Sequence, residues 1–244
     1  MYADDIAIGS QNRQDLQEFM DSVAEWAGKN LLQLNEQKTV HMTFQKGGRT
    51  KESDRIHYSG DPLQRVTYFK YLGMTLQSSG KSFHLHAQER AIAAARAMND
   101  IYHISSLSLE TAIKLFRCKV RPVLTYGIHQ IWQFLKKRDL QRFENVKTSF
   151  LKRALGVFKF TPNGMVYEFP KEPFLIEELR LELLLPSTEP YESLLRERNL
   201  KRSEIPLEFH TISAMIDRNW PHRDATGGAW ISPQTVLKIC LPSS

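Results

Sequence analysis

The chain has 244 residues, 41% hydrophobic and 10% aromatic, which is enough apolar material for a globular core and excludes a chain that is disordered throughout. No apolar run approaches the roughly 20 residues of a membrane-spanning helix, and acidic residues stand where a signal peptide would be basic. We therefore expect a soluble, intracellular protein without a membrane partner. The two cysteines, Cys118 and Cys240, form neither a disulfide framework nor a zinc-knuckle spacing, so any metal is expected to take oxygen ligands.

The formal charge of +6 is concentrated in one stretch of the chain. Residues 136–159 carry eight basic side chains against Asp139 and Glu144, which accounts for the whole excess. Such a concentration is typical of a protein that binds the phosphate backbone of nucleic acid. The alternative is a solvated helix face, and charge alone does not decide between them.

The first half of the chain predicts one helix followed by short strands. Apolar residues at three- and four-residue steps run from Leu16 to Leu31, with Asn12 placed as the N-cap. Residues 38–44 alternate in period two and predict a strand with Val40, Met42 and Phe44 on one face. A turn at residues 59–62 and a strand or sharp hairpin at residues 68–76 follow.

Beyond Gly80 the pattern is helical almost throughout. Helices are predicted from His84 to Tyr102, after Ser108 as a cap, and across the basic stretch with a stop at Gly156. Pro122 predicts a kink or break. Shorter helices are expected at residues 177–185 and 189–200. The His84-x-His86 pair has no third ligand in view, which favours a loop over a metal site.

These elements predict an α+β protein in which a small mixed region precedes a helical bundle. The predicted ranges are 1–78 for the mixed region, 79–160 for the bundle, 161–207 for a helical extension and 208–244 for a poorly ordered tail.

The adjacent carboxylates of Asp4 and Asp5 are the sequence feature that most directly indicates a catalytic site. At a turn between two short strands, flanked by Tyr2, Ile6 and Ile8, they would bind hard divalent cations such as Mg²⁺. Two such ions can activate an attacking 3′-hydroxyl and stabilise a leaving pyrophosphate, which is polymerase chemistry. The alternative is a solvated acidic loop or a helix cap.

The order of motifs strengthens the polymerase interpretation. Tyr2-Ala3-Asp4-Asp5 is followed by a helix, then Leu34-Asn35-Glu36-Gln37-Lys38-Thr39, then Phe69-Lys70-Tyr71-Leu72-Gly73, then basic helices. In this succession the chain resembles the reverse transcriptases of non-LTR (LINE-type) retrotransposons over about residues 1–160 and more weakly to about 200. The resemblance implies an RNA-directed DNA polymerase with a partial palm before a helical thumb.

The resemblance also implies roles for single residues. Asp4 and Asp5 would hold the catalytic Mg²⁺, with Mn²⁺ as the alternative ion, and Tyr2 would pack beside the primer end. Lys38 would lie near the phosphates of the incoming nucleotide; the alternative is a surface lysine at a strand entrance. The primer-grip hairpin would comprise Tyr71, Leu72 and Gly73.

The thumb would hold the duplex of RNA template and DNA primer, chiefly by its phosphates. The candidate contacts are basic residues on its helices, each of which could equally be a solvated cation. They are Arg90, Arg96, Lys136, Lys137, Arg138, Arg142, Lys152 and Arg153.

The family pattern also requires parts with no match after Met1, namely a third carboxylate from an earlier palm strand and the fingers. We therefore expect a C-terminal palm and thumb fragment, with an uncovered sheet edge, that binds dNTP only in the intact enzyme and is inactive alone. A nuclear location is implied by the family only. Two alternatives remain: a non-catalytic nucleic-acid-binding helical module, and a helical interaction domain, which would not account for the ordered motifs.

Overall fold

A computed structural model describes residues 6–35, 37–45, 55–79 and 82–203, which divide into two units, residues 1–82 and 83–244. The first unit combines one helix with short strands, and the second is built of helices. The predicted α+β class is therefore confirmed, while the predicted tail at 208–244 lies outside the described residues. Within the described residues, no helix is both long enough and apolar enough to cross a membrane.

In the first unit, helix α1 (Arg13–Lys29) begins at Asn12, whose side chain accepts a hydrogen bond from the Asp15 N–H, as predicted. The helix is held to the next element through Gln17, whose amide donates to the His57 carbonyl and accepts from the His57 N–H, both at 2.9 Å. The α1 residue Met20 packs with Ile56 and Leu63 in a small core.

The strands of the first unit are short and, among its described residues, form three pairs. They are β1 (Val40–His41), β2 (His57–Tyr58), β3 (Asp61–Pro62), β4 (Gln64–Arg65), β5 (Tyr68–Tyr71) and β6 (Met74–Gln77). β1 pairs with β4 in parallel, whereas β2–β3 and β5–β6 are antiparallel hairpins. The first hairpin turns at Ser59-Gly60, so Asp61 and Pro62, predicted as turn residues, belong to its second strand.

In this unit, two predictions of which apolar residues are buried are wrong. The predicted strand at residues 38–44 is reduced to Val40–His41, and His41 is buried while Phe44 is 57% exposed. Pairing with only two residues of β4 is too short to impose an alternating buried face. Likewise Phe19 and Trp26 of α1 are about half exposed, because the packed face of α1 is the one that carries Met20 and Ala27.

The second unit begins with α2 (His84–Asn99), which confirms the helix predicted from His84; the loop favoured for the His84-x-His86 pair over a metal site is therefore wrong. Ser108 caps α3 (Leu109–Leu115) through a hydrogen bond from the Thr111 N–H, as predicted. A π-helical turn (Phe116–Val120) precedes α4 (Arg121–Leu124), where Pro122 stands in the first turn. The interruption therefore comes before Pro122, and the chain continues as α5 (Ile128–Ile131) and a 3-10 turn (Trp132–Phe134).

Helix α6 (Lys137–Leu155) is the centre of the second unit and packs against α2 and three later helices. It ends at Gly156, whose φ of 68° is the left-handed conformation that glycine adopts without strain. The later helices are α7 (Asn163–Glu168), α8 (Leu175–Glu182) and α9 (Glu189–Ser203). The face of α6 predicted to be internal is buried, and it comprises Leu140, Phe143, Val146, Phe150, Leu151 and Leu155.

Candidate functional site

The predicted metal turn, Asp4 and Asp5 with Tyr2 beside them, lies outside the described residues. The residues that follow, 6–10, form no strand, which corrects the prediction that Ile6 and Ile8 continue a hairpin. Both isoleucines are exposed, and the described strands include no partner for this segment. Within the described residues, no group of three or more His, Cys, Asp and Glu side chains could hold a metal ion.

Lys38 stands at the entrance of β1 and is exposed. The turn before it is built by Asn35, whose side-chain oxygen accepts from the Lys38 N–H at 3.1 Å. The Asn35 carbonyl accepts from the Thr39 N–H at 2.9 Å and from the Thr39 hydroxyl at 2.8 Å. Asn35 and Thr39 therefore fix the backbone while the Lys38 ammonium stays at the surface, where an anion can reach it.

The Tyr71-Leu72-Gly73 segment forms the tip of the β5–β6 hairpin. Tyr71 pairs with Met74, so Leu72 and Gly73 are a two-residue loop. Their φ angles are 46° and 78°, and two positive values are the pattern of the turn whose twist suits a tight hairpin. Leu72 is 40% exposed in a conformation that a leucine adopts only with strain.

The candidate cations of α2 differ in their surroundings. Arg96 is exposed, whereas the Arg90 guanidinium lies 5.8 Å from the centre of the Tyr126 ring in a cation–π contact. Arg90 therefore has a packing role in addition to any contact with phosphate.

The candidate cations of α6 fall at its two ends. Lys136 and Arg138 are exposed at the first end, and Lys137 pairs with Glu197 at 3.0 Å. Lys152 and Arg153 lie at the other end, roughly 20 Å further along the helix axis, at 1.5 Å per residue. Lys152 donates to the Lys159 carbonyl, and Arg153 to the Met98 carbonyl, so the predicted basic cluster is not one continuous surface.

Asp139 organises the first end of α6. It accepts from the Lys136 N–H and from Arg142 Nη1, so Arg142 is occupied by an internal ion pair of 2.9 Å. His84 Nδ1 lies 2.6 Å from Asp139 Oδ1, and its Nε2 lies 2.6 Å from Arg138 Nη2. The ring therefore donates to the carboxylate and accepts from Arg138. This bridge gives His84 a structural role at the start of α2.

One of the eight basic residues of the stretch, Lys147, is not on the surface at all. It is 2% exposed and its ammonium lies 2.9 Å from Glu172 Oε2 and 3.0 Å from Glu178 Oε2. Lys147 therefore adds no surface charge to residues 136–159. Its acidic partners follow 25 or more positions later and cannot be recognised from the stretch itself.

Sequence reasoning also missed Arg198 on α9, whose side chain lines a pocket together with Lys137 and Arg138. An arginine within the polar pattern of α9 gives no sign of burial, so no signal in the sequence singles it out.

Comparison with known proteins supports the motif order. A family model described as reverse transcriptase (RNA-dependent DNA polymerase) matches residues 1–76. The RNA-directed DNA polymerase from mobile element jockey of Drosophila funebris is 28% identical over 165 residues, 64% of this chain and 18% of that protein. Its Drosophila melanogaster counterpart is 26% identical over 164 residues, 64% of this chain and 18% of that protein.

A third relative is the probable RNA-directed DNA polymerase from transposon BS of Drosophila melanogaster, 27% identical over 153 residues, 59% of this chain and 17% of that protein. The chain thus spans less than a fifth of the length of these curated relatives. No solved structure matches significantly. The match over residues 1–76 and these relatives therefore support a similarity of this chain to the reverse transcriptases of non-LTR (LINE-type) elements.

Proposed function

We propose that this chain is a palm and thumb portion of an RNA-directed DNA polymerase, which in the intact enzyme extends a DNA primer on an RNA template with dNTPs. The observation that carries the proposal is the reverse transcriptase match over residues 1–76, which contains all three motifs in order. These are the Asp4-Asp5 pair, the segment ending in Lys38 and the Tyr71-Leu72-Gly73 tip.

Asp4 and Asp5 are the proposed ligands of Mg²⁺, with Mn²⁺ as the alternative ion. Their carboxylates are hard oxygen donors, and residues 1–10 contain no His or Cys that would favour a softer metal, so the donor set fits. When bound, the ions supply charge stabilisation for in-line nucleotidyl transfer.

Lys38 is proposed to act on the phosphates of the incoming nucleotide. An exposed ammonium can offset the negative charge that develops on the departing pyrophosphate, or give up the proton on Nζ to it. The turn built by Asn35 supports this role, because it fixes the Lys38 backbone without using the side chain.

The β5–β6 tip is the proposed primer grip. Gly73 has no Cβ, so a nucleic-acid backbone can come close to the loop at this point.

These 244 residues by themselves are proposed not to polymerise, since the part that aligns covers less than a fifth of the length of the relatives. The test is primer extension by the purified chain on an RNA template with Mg²⁺ or Mn²⁺. No incorporation of dNTP is expected. Incorporation that Asp4→Ala abolishes and the exposed control Asp21→Ala leaves intact would overturn this proposal.

The role of the motifs themselves is tested in the D. funebris jockey polymerase, with residues 1–76 replacing the matching segment. Asp4→Ala, Asp5→Ala and Lys38→Ala are each expected to lower incorporation strongly, whereas Asp21→Ala is not. Activity that survives Asp4→Ala would contradict the metal role.

A second candidate function, binding of a nucleic-acid duplex without catalysis, is favoured by the exposed Arg96, Lys136 and Arg138 of the helical unit. A binder of this kind should lose affinity linearly in log salt as its contacts with phosphates are broken. Fluorescence anisotropy of a labelled RNA–DNA duplex at increasing NaCl measures this, and a flat response would exclude the binding function.

A further inference from the structure

Arg198 is a buried cation whose charge has no acidic partner among the described residues. Its side chain is 5% exposed, and no carboxylate oxygen of the described residues lies within the 4.0 Å of an ion pair. Its Nη2 donates to Asn145 Oδ1 at 3.2 Å, and its Nη1 has no acceptor in this part of the structure. A buried guanidinium without an anion is costly, which indicates that an acceptor belongs beside it.

The pocket that Arg198 lines has the character of an anion site. It has a volume of about 620 Å³ and lies between the start of α6, the start of α7 and α9. Its charged lining comprises Lys137, Arg138 and Arg198 against Glu197 alone, and Glu197 is paired with Lys137. The amides of Gln141 and Asn163 add neutral donors.

The positive charge of Arg198 acts on the pKa of neighbouring titratable side chains. Burial, and then the positive charge of Arg198, lower the pKa of Lys152. The Glu144 carboxylate does not neutralise Arg198, because it accepts from the Leu175 and Ile176 N–H groups and from the Tyr167 hydroxyl. The local excess of positive charge is therefore available to a ligand.

We propose that this pocket is an anion site that seats one phosphoryl group, with the Arg198 guanidinium at its base and Lys137 and Arg138 at its rim. Resting on the proposed function, the phosphoryl group is that of a nucleic-acid strand. Guanidinium suits phosphate because its planar N–H groups donate in pairs. A free phosphate or pyrophosphate has the same chemistry and is the other source to be distinguished.

The first test compares thermal unfolding of the full chain and of Arg198→Met with sodium phosphate or with sodium chloride at equal ionic strength. Without phosphate the variant is expected to be at least as stable, since it removes an unpaired buried charge. Phosphate is expected to raise Tm of the wild type by about 2–4 °C more than that of the variant. Equal shifts in both proteins would mean that phosphate acts only as a general stabilising salt, and would overturn the site.

The second test measures the affinity for an RNA–DNA duplex by anisotropy. Arg198→Met is expected to lower it about tenfold and to reduce the salt slope by about one, and Arg198→Lys to restore part of the loss. Arg196→Met, which removes an exposed arginine from the same helix outside the pocket, is the matched control and should leave the phosphate-dependent Tm shift unchanged. Phosphate stabilisation that depends on Arg198, with duplex affinity unchanged in Arg198→Met, would overturn the nucleic-acid source and leave free phosphate.

Failure of the proposed function is separable from failure of the site. If phosphate raises the Tm of the wild type through Arg198 while the chain fails to bind duplex, that outcome would support the anion site and contradict the nucleic-acid function. Equal duplex affinity in the wild type and Arg198→Met, with no phosphate stabilisation specific to the wild type, would support nucleic-acid binding and contradict the anion site.

Discussion

The ammonium of Lys147 lies 3.0 Å from Glu178 Oε2 although both side chains are buried. Glu178 also pairs with Arg121 at 3.2 Å, and Arg121 in turn with Glu182, whose pKa this hydrogen bond lowers. Arg117 joins Glu172 at 3.3 Å to complete a network of three cations and three carboxylates. α8 is thereby tied to α6 and to the α3–α4 segment by charge as well as by packing.

Replacing Lys147 by Met is expected to lower the free energy of unfolding by about 3 kcal/mol, because two buried carboxylates lose their shared cation. Urea unfolding followed by far-UV circular dichroism measures this. Lys119→Met, at an exposed lysine three residues before Pro122, is expected to change stability by less than about 0.5 kcal/mol. Equal effects of the two substitutions would show that the network contributes nothing specific.

Glu144 is expected to hold the start of α8 in place. Its buried carboxylate accepts from the Leu175 and Ile176 N–H groups at 3.1 Å each, where a negative charge also suits the helix dipole. Glu144→Ala leaves two buried N–H groups unpaired and should cost about 2 kcal/mol or more. Glu144→Gln keeps one acceptor and should cost less.

Amide hydrogen exchange locates this effect. Exchange at residues 175 and 176 is expected to accelerate most in Glu144→Ala and less in Glu144→Gln. Acceleration spread evenly over the helical unit would contradict a local capping role.

Tyr167 predicts a loss of stability at alkaline pH. Burial first, and then the Glu144 charge, raise the pKa of its hydroxyl well above 10.0. Because the unfolded tyrosine ionises near 10.0 and the folded one does not, this contribution is complete below pH 10 and declines as pH rises beyond it, by up to about 1.4 kcal/mol per pH unit.

The measurement is urea unfolding between pH 8 and 11 for the wild type and Tyr167→Phe. Above pH 10 the variant is expected to lose stability less steeply, since it has no hydroxyl to ionise at this position. Parallel curves for the two proteins would show that Tyr167 does not control the alkaline limb.

The β5–β6 tip predicts opposite effects of two substitutions. Gly73→Ala places a side chain at a φ of 78° and should weaken the hairpin by about 1 kcal/mol, or about fivefold in amide protection. Leu72→Asn should strengthen it, because asparagine tolerates the positive φ better than leucine.

Hydrogen exchange of the β5–β6 amides reports both changes. Gly28→Ala is the control, since Gly28 lies within α1 and nothing stands within 4 Å of an added Cβ, so the same substitution should there be stabilising. A loss of hairpin protection in Gly28→Ala would contradict the assignment of the effect to the turn.

Local signals in the sequence predicted local structure well. The caps Asn12 and Ser108 and the stop at Gly156 act within one helical turn, so their residues carry the information. The turn at Leu72-Gly73 is likewise determined by residues that are adjacent in the sequence.

Features decided by distant partners could not be predicted in this manner. Lys147 resembles an exposed lysine until Glu172 and Glu178 are brought beside it, and Arg198 resembles its exposed neighbours on α9. Helix α7 and the pairing of β1 with β4 are likewise products of tertiary contact. The roles of Asp4, Asp5 and Lys38 rest on the motif order and stay predictions.

The network around Lys147 also limits how the chain can be divided by protein engineering. A recombinant fragment ending near residue 160 would keep the ammonium on α6 and discard Glu172 and Glu178 together. The same cut would remove α8, whose first N–H groups occupy the Glu144 carboxylate. Such a fragment would leave the Lys147 ammonium and the Glu144 carboxylate without these partners in an exposed core. A recombinant form of the helical unit should therefore end after α9.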